Sequence, residues 1–417
     1  MKFFIISESG DGVGLALKLE EEGHEVSLYI RDDEASKRGA GLLRGKKGST
    51  ITDDTIVIAD CTGNGVFCDA LRMSGYAVLG GSKIADKLEA DRQYATEVMN
   101  SCGIKTPETK FFDSWDEAQA YATDTEDRLV FKPEGDLSGV VPSYVSSGQE
   151  DMLEMLGIYA AQNPKSVPAF ALQHWIEGTC ISTECWYNSL GFLRPFNHTL
   201  ERKQLMNGDL GPSGGCSGNV VWACEGCEIC DATVEKLDSF LNSVRWRGPI
   251  DVNAVVNESG VYGLEFTPRF GYDATPTLLL SLLSIELGEF FAAVAQGTAV
   301  EVSLKEDFAA GLRVTVPPWP SEKFPSDEGV PIRWLKSFKK FYPYDVMSDA
   351  EGNFCTAGGY GITGVALGYG SKIDEACKAA QSIADRIQLA DKQYRTDLAE
   401  IFTKDFRRLQ RGFSASV

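Results

Sequence analysis

The stretch from Trp246 to Asp273, WRGPIDVNAVVNESGVYGLEFTPRFGYD, constrains the fold more than any other. Two apolar runs flank the polar turn Asn257-Glu258-Ser259-Gly260, a pattern that predicts an antiparallel hairpin. Asp251 lies on the first run and Glu265 on the second. Strand neighbours sit about 5 Å apart and side chains alternate between faces, so the two carboxylates can face each other. Such a pair suits Mg²⁺, a hard ion that takes oxygen ligands and keeps phosphate and water in its remaining positions. Thr267 and Arg269 follow at two-residue steps and share the face of Glu265 if the strand runs that far. An acid, a hydroxyl and a guanidinium in a row fit a metal-bound triphosphate. Taken alone, the stretch reads equally well as a hairpin with solvent-facing charges.

A chain of 417 residues is too long for one hydrophobic core and should divide into about two to four domains. No run reaches the roughly 18 apolar residues of a membrane helix, and MKFFIISESG reads as a strand start without a cleavage pattern, so a cytoplasmic location is expected. A formal net charge of −20 argues against an extended nucleic-acid surface, which needs clustered Lys and Arg, but leaves room for one nucleotide in a pocket. Eleven cysteines with no secretion signal read as reduced thiols. Cys224, Cys227 and Cys230 form C-x2-C-x2-C, but no fourth ligand follows at finger spacing and the three histidines lie elsewhere in sequence. They are read as loop thiols near a helix start rather than a metal site.

Residues 1–80 alternate KFFIIS, HEVSLYI, TIVIADC and YAVLG with helical stretches, the signature of a parallel sheet with crossover helices. Gly10, Gly12 and Gly14 do not meet G-x-G-x-x-G spacing, and Asp32 is a weak ribose candidate, so close packing of a helix on a strand explains them better than a nicotinamide site. Gly80 to Thr109 reads as one long amphipathic helix broken at Gly103, with Lys83 and Arg92 as its cations of interest. LVFKPEGDLSGVVPSYV carries Lys132 on a strand that leads into a glycine-bearing loop, Pro133 to Gly139, a recurring way to hold ATP phosphates although it is not a P-loop. The short link Gln173-His174-Trp175-Ile176 can offer backbone groups to an adenine edge, while Cys180, Ser182 and Glu184 alternate onto one face. NGDLGPSGGCSG, Asn207 to Gly218, is too glycine-rich for regular structure and reads as an anion-approaching loop. An apolar helix over Pro276 to Gln296, a third unit from Gly311, a helix over Ser371 to Leu389 and a charged tail helix complete the chain.

In this order the pieces resemble the ATP-grasp ligases, and within them the phosphoribosylamine-glycine ligase (glycinamide ribonucleotide synthetase) family. The likeness runs collinearly from about Gly80 to about Arg386, and four segments carry it: GGSKIADKLEADR, GDLGPSGGCSG, LEFTPRFG and TAGGYGITGVALGYGSKIDEACKAA. It implies a multidomain α/β and α+β fold: a Rossmann-like parallel-sheet domain over residues 1–80, an ATP-grasp domain over 81–310 with a small lid at about 110–175, and a C-terminal α+β domain with a tail helix over 311–417. It further implies that ATP phosphorylates a carboxylate and that an amine attacks the acyl phosphate. By that carry-over Lys132 and Arg92 contact the phosphates, Gln173, His174, Trp175 and Ile176 frame adenine, and Glu184 takes the place of the ribose-binding acid that Cys180 replaces. Asp251, Glu265 and Thr267 hold Mg²⁺, with Mn²⁺ as a substitute, and Arg269 steadies the transferred phosphate. Asp209, Gly211, Pro212, Ser213, Gly214 and Gly215 shape the acceptor site. The partners so implied are a small carboxylate and a small amine, for a monomer or homodimer.

The chain departs from the family at Thr267, where an Asn is usual, at Ser138-Gly139, where a lysine is missing, and at Tyr272 to Pro276. Three readings follow: ligation of glycine to phosphoribosylamine, ligation to another amine, or a nucleotide-binding relative without catalysis.

Overall fold

The structure is a computed structural model, described here over residues 1–44, 51–134, 142–163, 169–321, 323–335 and 337–412. The chain opens with β1 (Lys2–Ser7), β2 (Glu25–Ile30), β3 (Thr55–Ala59) and β4 (Ala77–Leu79), a parallel sheet in the order β2-β1-β3-β4. Its apolar runs are buried as that arrangement requires. The glycine turn after β1 serves packing: a Cβ on Gly12 would meet Ile5 at 2.8 Å, and one on Gly14 would meet the Tyr342 ring at 2.4 Å.

The region expected as one helix is two, Lys83–Ala90 and Arg92–Ser101. Asp91 ends the first in an extended conformation and caps the second, its carboxylate accepting the Tyr94 amide at 2.7 Å. Arg92 therefore stands at the first position of a capped helix, fixed in direction.

Next comes a four-stranded antiparallel sheet made of β5 (Thr109–Phe112), β6 (Leu129–Pro133), β7 (Tyr144–Val145) and β8 (Phe170–His174), in the order β5-β8-β6-β7. Phe131, Phe170 and Trp115 form its separate core, with Trp115 stacked 4.7 Å from Phe170. Because Leu129 and Phe131 point into that core, Lys132 points out of it.

The centre of the molecule is an eight-stranded sheet. Its first five strands are β9 (Thr179–Asn188), β10 (Gly191–Met206), β11 (Leu210–Cys224), β12 (Gly248–Asn257) and β13 (Gly260–Thr267). A two-stranded ribbon, β14 (Leu283–Ser284) and β15 (Ser303–Leu304), precedes β16 (Phe308–Thr315). The remaining strands are β17 (Glu328–Pro331), β18 (Phe341–Pro343), β19 (Val346–Ser348), β20 (Phe354–Ala357) and β21 (Ile362–Gly370). The large sheet runs β13-β12-β9-β10-β11-β16-β21-β18, and β17, β20 and β19 form a small sheet beside it. The expected boundary at residue 310 thus falls inside β16, a strand of the same sheet as β11. One face buries Trp186, Phe270, Phe290 and Phe291 together with the N-terminal sheet; the other buries Ile181, Cys185, Trp222, Ile250 and Val252.

Two further sequence expectations are corrected. The Asn207 to Gly218 segment is mostly strand: residues 207–209 form a single tight turn and β11 starts at Leu210, because pairing with β10 supplies hydrogen bonds that the glycines do not obstruct. The apolar stretch from Pro276 is not one helix but a short helix over Ala274–Thr277 that widens into a π-helical turn over Leu278–Leu282, the β14 strand and a second helix over Leu287–Gln296. The helices expected near the C-terminus form at Ile373–Arg386 and Leu398–Gly412. Among the described residues no helix is long and apolar enough to cross a membrane.

Candidate active site

The expected hairpin forms, with Asn257 opposite Gly260 across the turn. Its register differs from the simplest pairing, because an irregularity between Asn253 and Ala254 places Glu265 opposite Asn253 and Asp251 opposite Thr267. Asp251 also lies directly across from Glu184 on β9, and Asn253 across from Ser182. Two rungs on one face therefore read Thr267-Asp251-Glu184 and Glu265-Asn253-Ser182. Asn253 organises them: it accepts from Ser182 Oγ at 2.7 Å and donates to Thr267 Oγ1 at 3.0 Å.

Charge is divided sharply over this surface. Glu265, whose side chain is 41% exposed, meets Arg92 Nη1 at 3.3 Å. Burial pushes its carboxyl up, but Lys132, Lys203 and Arg92 outweigh that and hold it at about 2. Lys132 is half-buried, and desolvation pulls its ammonium down to about 8 against the attraction of Glu265. One rung away the acids lack such partners. Burial, followed by the charges of Glu184 and Glu201, pushes Asp251 well above the usual carboxylate range, and its buried Oδ1 has no hydrogen-bond partner among the described residues. Burial raises Glu184 to about 7, with the Trp186 indole N–H donating to it at 3.0 Å. A surplus of carboxylates around an unpartnered buried oxygen fits a cation of oxygen-ligand type.

The other residues singled out in the sequence divide by location. Glu184 is only 4% exposed and stands beside Asp251 on the neighbouring strand. Gln173 and His174 belong to β8 and not to a link: Gln173 Nε2 donates to Thr109 Oγ1 at 2.9 Å, and the His174 ring lies 3.1 Å from Asp127 and 3.0 Å from Tyr121. The amides of His174 and Trp175 donate to the carbonyls of Glu108 and Arg128. The Trp175 ring lies under the Arg128 guanidinium at 4.2 Å, and Ile176 leads on toward β9. Arg269 follows the end of β13, since Pro268 stops the strand, and its Nε pairs with Glu89 at 2.9 Å while the guanidinium covers the Tyr272 ring.

Asp209 is tied to Arg395 at 2.7 Å. Gly211, Pro212, Ser213 and Gly215 are exposed on β11, and buried Gly214 accepts from Arg313 Nη1 at 2.9 Å. The loop after Pro133, including Ser138-Gly139, lies outside the described residues beyond Glu134.

Sequence reading passed over Asn253 and Lys203. Asn253 was findable, being two residues from Asp251. Lys203 was not, because β10 changes register between Arg202 and Gln204.

Glu184 gives a stability prediction. Its folded pKa, about 7, exceeds the 4.5 of an ordinary glutamate, so between those values wild type loses stability as pH rises, by a total of about 3 kcal/mol. Without nucleotide or metal, Glu184→Gln should match wild type near pH 4.5 and exceed it by about that amount at pH 8. Urea melts at the two pH values measure this, and a pH-independent difference would exclude an elevated pKa.

No family model matches the chain. Curated relatives include the phosphoribosylamine-glycine ligase of Corynebacterium ammoniagenes, 24% identical over 347 residues, 80% of this chain and 78% of that one. The Helicobacter pylori enzyme of the same name is 27% identical over 348 residues, 79% and 78% of the two chains. Among solved structures, the Thermotoga maritima phosphoribosylamine-glycine ligase superposes with a TM-score of 0.72 at 20% identity, covering 95% of this chain and 100% of that one. The biotin carboxylase domain of Hydrogenobacter thermophilus 2-oxoglutarate carboxylase, solved with MgADP, ADP and bicarbonate, gives 0.64 at 12% identity over 97% and 94%. The fold is ATP-grasp, and the chain resembles the phosphoribosylamine-glycine ligases.

Proposed function

We propose that this chain is an Mg-ATP-dependent carboxylate-amine ligase that joins glycine to phosphoribosylamine, giving glycinamide ribonucleotide, ADP and phosphate. The observation that carries the reading is the arrangement around Glu265, an acid gathered by Lys132, Lys203 and Arg92 with Asp251 one rung behind. The chain's similarity over four-fifths of its length to relatives of that name supports the same reading.

Asp251, Glu265 and Thr267 would hold Mg²⁺, or Mn²⁺ in the same oxygen cage. When bound, the ion would neutralise and align the transferring phosphoryl group. Lys132 and Arg92 lead the phosphates into place, with Lys203 as a third cation. Adenine would be met around Trp175 and Ile176. Arg269 exchanges Glu89 for the phosphoryl group as that group passes to a glycine carboxylate oxygen and ADP leaves. The amine nitrogen then attacks the acyl carbon and phosphate departs. Residues Asp209 to Gly215 would border the acceptor, and a division at residue 80, with the lid at about 110–175, would serve as the working domain scheme, since β16 carries the central sheet across residue 310.

A second reading, ligase chemistry on another amine, is favoured by one observation. Asp273, in the segment where the family pattern lapses, is committed to Arg313 and closed to substrate. Purified protein with ATP, Mg²⁺, glycine and freshly prepared phosphoribosylamine should release phosphate and form a product of the mass of glycinamide ribonucleotide. Release that ignores phosphoribosylamine but responds to another amine would select the second reading. ATP binding without turnover on any amine would select a non-catalytic protein.

A further inference from the structure

The cysteine triplet is not a set of isolated loop thiols, because the fold supplies the fourth group that the sequence concealed. On β10 and β11, Phe196 pairs with Cys224 and His198 with Trp222, so His198 and Cys224 share a face two residues apart. The chain leaves β11 at Cys224 and turns, and Cys227 caps a short helix, Glu228–Ala232, that carries Cys230. His198 Nε2 lies 3.3 Å from Cys227 Sγ and 3.7 Å from Cys230 Sγ, and the two sulfurs are 3.5 Å apart. All four ligand atoms, with Cys224 Sγ, fall within 4.8 Å of one another.

We propose that His198, Cys224, Cys227 and Cys230 form a structural zinc site. Zinc–sulfur bonds of about 2.3 Å and zinc–nitrogen bonds of about 2.0 Å give a tetrahedron with edges of roughly 3.5–3.8 Å. Three of the measured separations lie within a few tenths of an ångström of those edges. Three thiolates and an imidazole are a donor set that favours Zn²⁺ over the hard ions of the opposite face. The His198 ring is held in a ligating orientation, since its Nδ1 lies 3.0 Å from Thr183 Oγ1, which leaves Nε2 aimed at the sulfurs. His198, Cys227 and Cys230 are buried and Cys224 is half-buried, so an ion can enter from one side. Four protein ligands leave no open position for a substrate, and the site is structural for that reason.

Its place in the sheet gives it a purpose. Thr183 stands between Ser182 and Glu184 on β9 and points to the opposite face from them. The ion would clamp β10, β11 and the Glu228–Ala232 helix, and through His198 and Thr183 would brace the strand beneath the carboxylate rungs.

Elemental analysis of the full chain, expressed with zinc in the medium, should find about one zinc per chain. The Cys227→Ser/Cys230→Ser pair should lose it, whereas His198→Cys, which exchanges one ligand for another and leaves four, should keep it. Cobalt exchanged into wild type should show the visible absorption of tetrahedral thiolate coordination, which guards against a double variant that fails to fold. Titrating wild-type thiols with a mercurial should release zinc to a chromophoric chelator. Wild type that holds neither zinc nor cobalt, a folded double variant with undiminished zinc, or a Cys227–Cys230 disulfide found by mass spectrometry would each overturn the proposal. These readouts do not depend on ligase turnover, so they stand apart from the function proposed above.

Discussion

Glu265→Gln is expected to lower turnover by about three orders of magnitude or more while the protein stays folded. The side chain is 41% exposed and the replacement is isosteric, so little packing is lost. What disappears is the charge that assembles Lys132, Lys203 and Arg92, cations whose common focus is this carboxylate. Asp251→Asn makes a contrasting partner. Its carboxyl is crowded by Glu184 and Glu201 and has a buried oxygen without a partner among the described residues, so the neutral amide should relieve repulsion and raise stability even as turnover is lost. The pair is informative because activity falls in both while stability falls in one, which loses the carboxylate that three cations hold ionised, and rises in the other. Phosphate release and urea melts on the two variants measure this. Glu265→Gln retaining more than about a tenth of wild-type turnover would remove Glu265 from the metal cage, since loss of one transition-state charge partner ordinarily costs far more.

These residues show how far the sequence could be read. Asp251 and Glu265 were legible because a two-residue turn between apolar runs specifies a hairpin, and alternation then assigns faces. Lys132 was legible because its neighbours Leu129 and Phe131 are apolar at the right step. The actual opposition, Glu265 to Asn253, was not, because one extra residue in a strand shifts the pairing without a compositional mark. Asp91 could have been recognised as a cap, since aspartate is among the residues favoured at that position, but the helical pattern on both sides hid the break. Glycines at Gly208 to Gly218 suggested a loop because local preference cannot register a partner strand already formed. His198 was concealed in the same way. It stands 26 positions before Cys224 in sequence, and only the pairing of β10 with β11 brings the two together. Short-range pattern thus yielded the elements and many of their faces, whereas everything that depended on register between strands had to come from the fold.

The largest stability effect is expected from the pair that joins the segment after β13 to β16. Arg313 Nη2 and Nε donate to Asp273 at 2.6 and 2.8 Å, and Nη1 donates to the Gly214 carbonyl at 2.9 Å. Both side chains are almost wholly buried, and the Tyr344 hydroxyl donates to the Tyr272 carbonyl beside them. Arg313→Met leaves the Asp273 carboxylate buried without its cation, a loss of about 3–5 kcal/mol, and Asp273→Leu strands the guanidinium at similar cost. Combining the two removes both charges together, and a well-packed apolar pair should recover most of the loss. Urea denaturation of the single and double variants forms the cycle that isolates the interaction. Single variants within about 1 kcal/mol of wild type would mean that water reaches the pair, contrary to its burial. Because Arg269 lies only four positions before Asp273, the single variants should also lose turnover through a displaced guanidinium, and the double variant should regain stability before it regains activity. That separation follows from the geometry: an apolar pair can fill the space between the strands, but it does not fix the direction in which the chain leaves β13.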